Sequence, residues 1–527
     1  MMLVRLMLHR RRLLIGSWLV LLLALCTVTI SAYGSTYPTA AERAVAVRLA
    51  QDNTATTLLY GRLADPGTPG QMFAWEIGAF ATVLAAIMAV LLAVALTRAA
   101  EDDGTVELVR SCGIGKAAPL RAAVTILAEV ALVLAVGCAV GVWLAAGPDD
   151  GVGASGAPAF GLVVGLTFLL VALLTAVLAQ LAPSAGAARV FGFAALGVAF
   201  AVRAAADGRD AGWANWLSPL ALRATIRPMD DVRWWPLPLY VLLAALLVLL
   251  AAALHARREH GAGLLRRRDR RDTHLRIRSG FAFCVRLARH SVLTWTIAVA
   301  CIGTLFGAMG SGVVGQSEHG DVGGFLGAQL GTGDPLAGFF AYTATVVGIM
   351  VAAFAVLGVL RARHDEASGL TDHVLATGAR RWQPLLWQAA VTAAGCAVIL
   401  VATGLCGALV APTVFTGTDV ALRAFAYPVG QWPATAAAVG WTTLLVGWLP
   451  RATWLAWLPL IASAVLALLG QLLAVPARIR DLGIFTHVPD VSSPRPDLSG
   501  LAVLLAAAAV LAVLGLVTMT RRDISTS

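Results

Sequence analysis

Arg98-Ala-Ala-Glu101-Asp-Asp-Gly104-Thr-Val-Glu107-Leu-Val-Arg-Ser-Cys-Gly113-Ile-Gly-Lys116-Ala-Ala-Pro119-Leu120 is a polar stretch between two long apolar runs. It returns as Arg363-His-Asp-Glu366-Ala-Ser-Gly369-Leu-Thr-Asp372-His-Val-Leu-Ala-Thr-Gly378-Ala-Arg-Arg-Trp-Gln-Pro384-Leu385. The displacement is 265 residues (378 less 113) and needs no gap. Arg, Glu, Gly, Val, Gly, Pro and Leu match in order, and Glu107 faces another acid, Asp372. Each copy reads as a loop joining two membrane helices, in two halves built alike.

The rest of the chain fits that reading. Its 527 residues are 59% hydrophobic and only 13% charged, with a mean hydropathy of +0.81. This predicts an all-α polytopic membrane protein rather than a soluble domain. The net charge of +10 is almost all arginine, since Lys116 is the only lysine. It argues for insertion orientation rather than nucleic acid, because the arginines gather on alternate loops. Abundant Ala, Arg and Val with scarce Lys fit a GC-rich bacterial genome.

Runs of roughly 20 apolar residues predict twelve spans, six per half. They are 13–33, 74–97, 120–146, 158–181, 188–206 and 236–255, then 290–310, 337–360, 385–411, 432–450, 452–473 and 498–519. The first follows Arg10-Arg11-Arg12 but lacks a small-residue cleavage site, so it reads as a retained helix. Arg98, Arg110, Lys116, Arg189, the run 256–289 with Arg258, Arg361 to Arg381, Arg451 and Arg521-Arg522 fall on one face with the N-terminus. The bias places both termini in the cytoplasm of a bacterial plasma membrane. An even number of spans per half predicts two parallel six-helix repeats about an axis along the membrane normal.

The expected domains are a first repeat over 1–255 with its loop at 98–119, a basic linker over 256–289, and a second repeat over 290–527 with its loop at 363–384. The linker holds eleven arginines against Glu259, Asp269 and Asp272. Its end, Ser279 to Arg289, is amphipathic and predicts an interfacial helix before the seventh span, a character shared by Met1–Arg12. Residues 40–52 predict a small outer helix, followed by a Gly/Pro-rich piece over 61–70.

Within each repeated loop, acid stands where a short helix would begin, glycine can take the left-handed cap, and Pro119 or Pro384 opens the next span. A short helix held at both ends by spans can pass on a push from a cytosolic partner as a rigid body. The alternative is an ordinary loop copied by duplication.

The pattern Arg-x-x-Glu-x-x-Gly-x-x-Glu-Leu-Val, then Gly and Pro, between second and third spans, resembles permeases of the ATP-binding-cassette type-2 exporter class. The outer loop Tyr37-Pro-Thr-Ala-Ala-Glu-Arg with Leu59-Tyr-Gly-Arg-Leu-Ala-Asp, and Asn215-Trp-Leu-Ser-Pro219 with Arg233-Trp-Trp-Pro236, are similar to fused twelve-span actinobacterial exporters of polyketide antibiotics, tetronasin-type. The resemblance implies that each loop is a coupling helix docking on a separate cytosolic ABC ATPase, two copies in all. It assigns that role to Glu101, Gly104 and Glu107, and to Glu366, Gly369 and Asp372. It also implies export of lipophilic compounds, antibiotics or drugs. The second copy departs by carrying Asp372-His373 where the first has Glu107-Leu108.

The chain carries no expected cofactor; ATP would sit on the partner. A phosphate-binding loop needs Gly-x-x-x-x-Gly-Lys-Ser/Thr, and Gly113-Ile-Gly-Lys116-Ala117 lacks both the upstream glycine and the hydroxyl. The seven cysteines have neither metal spacing nor an outer-loop pairing, and read as small packing residues. Glu129 lies at mid-depth of the third span, where an ionised group costs about 2.5–3.5 kcal/mol or more. It either belongs to a substrate pathway or pairs with a polar neighbour. Glu76 and Arg203 stand at outer span ends and can snorkel. Gly137-x-x-x-Gly141 and Gly303-x-x-x-Gly307 predict close helix packing.

Two other functions compete. A proton-coupled twelve-span drug carrier would want titratable groups in its core, where Glu129 is nearly alone. A membrane-embedded transferase would want paired carboxylates or a nucleophile with its base, and no such set stands out.

Overall fold

The computed structural model describes residues 2–36, 39–52, 54–148, 150–258, 263–264, 279–308, 310, 334–417, 419–469, 476–480, 482–487 and 498–522. The chain divides into two compact units, Met1–Asp272 and Thr273–Ser527. Among the described residues every regular element is a helix, and ten helices are long and apolar enough to cross a membrane. Leu239, Val241, Leu242, Leu246 and Leu249 stand exposed along one of them, Leu237–Arg257. Lipid, not water, is the solvent for such a surface. The chain is a multi-pass membrane protein.

In the first unit the long helices are α1 (Met2–Thr36), α4 (Pro69–Leu96), α7 (Ala118–Ala145), α8 (Gly153–Leu181), α9 (Ala185–Gly208) and α11 (Leu237–Arg257). Short helices join them: α2 (Ala40–Asp52) and α3 (Thr54–Tyr60) at one end, α5 (Arg98–Asp102) and α6 (Thr105–Ser111) at the other, and α10 (Leu222–Ile226) before α11. α4 opens on a capping box in which the Gln71 amide N–H donates to Thr68 Oγ1 and Thr68 N–H to Gln71 Oε1. That satisfies two of the N–H groups a helix start leaves free. Phe73 of α4 meets Phe160 of α8 with ring centroids 5.0 Å apart, inside a core that includes Met88, Ile126, Leu134 and Phe168.

Gly137 and Gly141 on α7 let α1 approach. A Cβ on them would come within 2.6 Å of Leu23 and 2.3 Å of Thr27. Beside them the free thiols of Cys26 and Cys138 lie 3.8 Å apart in the same buried seam.

The second unit comprises α12 (Gly280–Ala308), α13 (Pro335–Ala367), α14 (Leu370–Leu375), α15 (Gln383–Val414), α16 (Val420–Val429), α17 (Trp432–Trp448), α18 (Trp457–Leu469), α19 (Ala477–Arg480) and α20 (Ser499–Arg521). Its core packs Val351, Phe354, Cys396, Ile399 and Leu445. Gly303 abuts Thr403, whereas a Cβ on Gly307 would meet nothing within 4 Å, so only the first of that pair is a packing position.

Three expectations need correction. Among the described residues ten candidate spans stand where twelve are expected, because 432–450 holds the shorter helix α17, 17 residues, and 452–473 holds α18, of which 13 residues are described. At about 1.5 Å per residue α17 falls short of the ~30 Å of a hydrocarbon core, and α18 is described only as far as Leu469. Pro428, Gly430 and Pro433 divide α16 from α17, and 470–475 lie outside the described residues. Secondly, Ser279–Arg289 forms no separate interfacial helix, since α12 runs unbroken from Gly280 into its span. Likewise Met2 to Arg12 continue directly into α1. Most of the expected linker, 259–262 and 265–278, lies outside the described residues. Thirdly, Arg203 does not snorkel. It is 4% exposed and donates through Nη2 to the Leu58 and Leu59 carbonyls, at 2.6 and 2.7 Å.

Candidate functional site

The repeated loops have one local design. In the first, α4 ends at Thr97, α5 makes one turn, and Gly104 at φ +70° starts α6. Gly113 at φ +82° ends it, and Pro119 stands in the first turn of α7. In the second, α13 continues through Ala367, Gly369 at φ +75° starts α14, and Gly378 at φ +88° follows. A side chain at these φ values is strained, which is why the spacing of glycines recurs.

The acids divide into two sets. Glu101 and Glu366 point inward, with side chains 6% and 1% exposed. Glu107 and Asp372 stand exposed on the short helices. Of the acids expected to face a partner, Glu107 and Asp372 are open to one, whereas Glu101 and Glu366 are not.

The buried set is held from within its own unit. Arg98, 1% exposed, donates Nη1 to Glu101 Oε2 at 2.9 Å and Nη2 to the Pro183 carbonyl at 2.8 Å. Its Nε also lies 3.3 Å from Asp102 Oδ1. On the other side Arg258, the residue that caps α11, donates Nη2 to Glu101 Oε1. In the second unit Arg363 donates Nε to the Pro450 carbonyl at 3.3 Å and lies 3.8 Å from Glu366. Arg522, which caps α20, grips Glu366 with both Nη groups, at 2.7 and 2.6 Å.

The far end of each loop is also tied to its unit's last helix. Lys116 Nζ donates to the Ala256 and Arg258 carbonyls at 3.1 and 3.0 Å. Arg381 Nη1 donates to the Arg522 carbonyl at 3.4 Å. Each loop is thus fastened at one end through a buried carboxylate and at the other through a cation. Removing one partner of a buried ion pair leaves an uncompensated charge, at about 3–5 kcal/mol. These loops are therefore stiff attachments to the final helix, with only the short helix presented outward. Leu108 is 72% exposed and Leu370 54% exposed on that outward side.

Arg258, Arg522, Lys116 and Arg381 are functional candidates that the sequence reading counted only as orientation charges. Their signal was present: each of Arg258 and Arg522 directly follows the last span of its half.

Glu129 lies mid-way along α7 and is exposed beside Leu132, Val133 and Val136. It points away from the core of its unit and has no hydrogen bond or ion pair among the described residues. The structure does not bring it to the loops.

The chain is 34% identical over 537 residues to the multidrug efflux system permease protein Rv1217c of Mycobacterium tuberculosis (strain ATCC 25618 / H37Rv), covering 99% of this chain and 94% of that relative. The chain belongs to the Rv1217c family of multidrug efflux permeases. The model of the Rv1217c permease C-terminal domain matches residues 277–519, which include the second loop and Glu366. Membership makes the chain a transport component rather than an enzyme.

Proposed function

We propose that the chain is the membrane permease of an ABC exporter, worked by two copies of a separate cytosolic ATPase, one under each loop. The observation that carries this is the paired arrangement of the loops: an outward short helix with Leu108 and Glu107, or Leu370 and Asp372, on a base bolted to the last helix of its unit. A push on α6 or α14 passes through Glu101–Arg258 or Glu366–Arg522 into α11 or α20 rather than bending a hinge. Glu101 and Glu366 are positioning residues in this reading, Gly104 and Gly369 set the turn, and Glu107 and Asp372 touch the ATPase.

The same contacts at matching positions support two parallel six-helix repeats in which the α16–α17 pair occupies the place of α8. Both termini lie in the cytoplasm and the protein in the bacterial plasma membrane. The cargo is lipophilic, in the class of polyketide antibiotics and drugs, and Glu129 lines its path, since a carboxylate with no partner among the described residues is too costly to leave facing lipid.

The test is uptake of lipophilic antibiotics into inside-out vesicles. ATP-dependent uptake only when the ATPase is co-reconstituted is the expected result. Uptake by the chain alone, driven by a proton gradient and indifferent to ATP, would overturn the reading in favour of a proton-coupled carrier.

A further inference from the structure

At the end of the first unit opposite its loop lies an open cavity of about 650 Å³, of the size that small-molecule sites have. The chain between α3 and α4, the end of α9 and the segment through α10 enclose it. Trp75, Leu63 and Leu220 supply apolar wall. Trp75 is fixed by donating Nε1 to the Gly61 carbonyl at 2.7 Å and by Tyr60, whose ring centroid lies 4.9 Å away.

The charge of the cavity is uneven. At the rim, Arg62 pairs with Asp210 at 2.5 Å, Arg227 pairs with Asp230, and Asp65 is exposed to solvent. At the floor stand two guanidinium groups, Arg203 and Arg223, with one carboxylate, Asp207, whose Oδ1 accepts from Asn215 Nδ2 at 3.0 Å. The two arginines spend donors on backbone carbonyls: Leu58 and Leu59 for Arg203, and Tyr60, Ala74 and Trp75 for Arg223. Carbonyls satisfy hydrogen bonds but cancel no charge. Two cations against one anion leave the floor one positive charge in excess, partly shielded from water.

The hydrogen bonding is incomplete too. Arg203 Nε, Arg223 Nε and Asn215 Oδ1 are buried with no partner among the described residues. Burial first, and then the neighbouring Arg203, pull the Arg223 guanidinium down to about 9, with Asp207 acting the other way. It stays charged at neutral pH, in surroundings that an anion would relieve.

We propose that this cavity binds the acidic head, carboxylate or phosphate, of an amphiphilic molecule, with the head over Arg203 and Arg223 and the apolar part along Trp75. Its placement on the outer face rests on the orientation proposed above, whereas binding does not.

The test uses the full-length protein in neutral detergent, with affinity read by thermophoresis. The probes are laurate and lysophosphatidate as acidic amphiphiles, inorganic phosphate as the free anion, and dodecyltrimethylammonium as a cation. The acidic amphiphiles should bind, and the cation should not. Asp207→Asn keeps the acceptor for Asn215 and removes the opposing charge, so it should tighten acidic amphiphiles about three- to tenfold. Arg203→Gln should weaken them at least tenfold. Laurate binding alone would assign a soluble fatty acid, and lysophosphatidate binding alone a lipid headgroup, both in support. Equal binding of the cation, binding of inorganic phosphate as tight as of the amphiphiles, or an Asp207→Asn variant with unchanged or weaker affinity overturns the inference. Because no ATPase is present, failure here leaves the exporter reading untouched, and failure of ATP-driven uptake leaves this measurement intact.

Discussion

Glu366 receives both terminal nitrogens of Arg522, at 2.7 and 2.6 Å, across 156 residues of chain. A bidentate guanidinium–carboxylate pair fixes orientation as well as distance. With Glu366 1% exposed and Arg522 16%, the pair is largely out of solvent and joins the second loop to the end of α20.

Breaking it should therefore show in both stability and transport. Glu366→Gln and Arg522→Gln should each lower the Tm of the purified protein and reduce efflux at least tenfold. The double variant should be less destabilised than the sum of the singles, with a coupling of about 1.5 kcal/mol or more. Additive losses in thermal melts would remove the pair as a mechanical link.

The outward residues should behave in the opposite way. Leu108→Asp and Leu370→Asp alter exposed side chains and should leave Tm within a degree or two. They should abolish co-purification with the ATPase and, with it, efflux. Variants that still capture the ATPase at wild-type yield would locate docking elsewhere.

Gly104→Ala and Gly369→Ala separate backbone strain from packing, because a Cβ at either would meet nothing within 4 Å. The φ values of +70° and +75° alone should cost about 1 kcal/mol or somewhat more. The expected phenotype is a modest drop in Tm with a lower ratio of drug exported to ATP hydrolysed. Wild-type melting and coupling in both variants would argue that the turns tolerate any residue.

Glu129→Gln should fold normally, since the carboxylate is exposed and unpaired among the described residues. Export of cationic lipophiles should fall severalfold while neutral ones are unaffected, as measured by accumulation in intact cells. Equal effects on both classes would take Glu129 out of the path.

The pH dependence of the cavity has a definite sign. Arg223 is cationic below about 9, its pKa lowered mainly by burial. Affinity for acidic amphiphiles should be level from pH 6 to 8 and decline above about 9, as the guanidinium loses its proton. The folded state binds this proton less tightly than the unfolded chain, so this group alone adds stability as pH rises above 9. An affinity that rises between pH 8 and 10 would contradict the assignment of Arg223.

What the sequence made legible was local. Glycine and proline punctuate the loops at Gly104, Gly113 and Pro119, and backbone conformation follows directly from such residues. Hydropathy found the long helices and the start of α17, but it passed over α16, whose ten residues over Val420–Val429 are too few to register as a span. The inward turn of Glu101 and Glu366 was not legible, because it depends on which face of the helix end meets Arg258 or Arg522, and those arginines lie more than 150 residues along the chain. Arg203 was misread for a related reason. Its partners are carbonyls of Leu58 and Leu59, which any residues in that backbone path would provide.

The fastening of Arg522 has a practical side for anyone labelling the protein. Its side chain engages Glu366 and its carbonyl engages Arg381, so a fluorescent reporter or affinity handle spliced immediately behind it would crowd a working joint. A handle carried on a generous flexible spacer would leave the joint free, and a drop in efflux upon shortening that spacer would report strain at the joint itself.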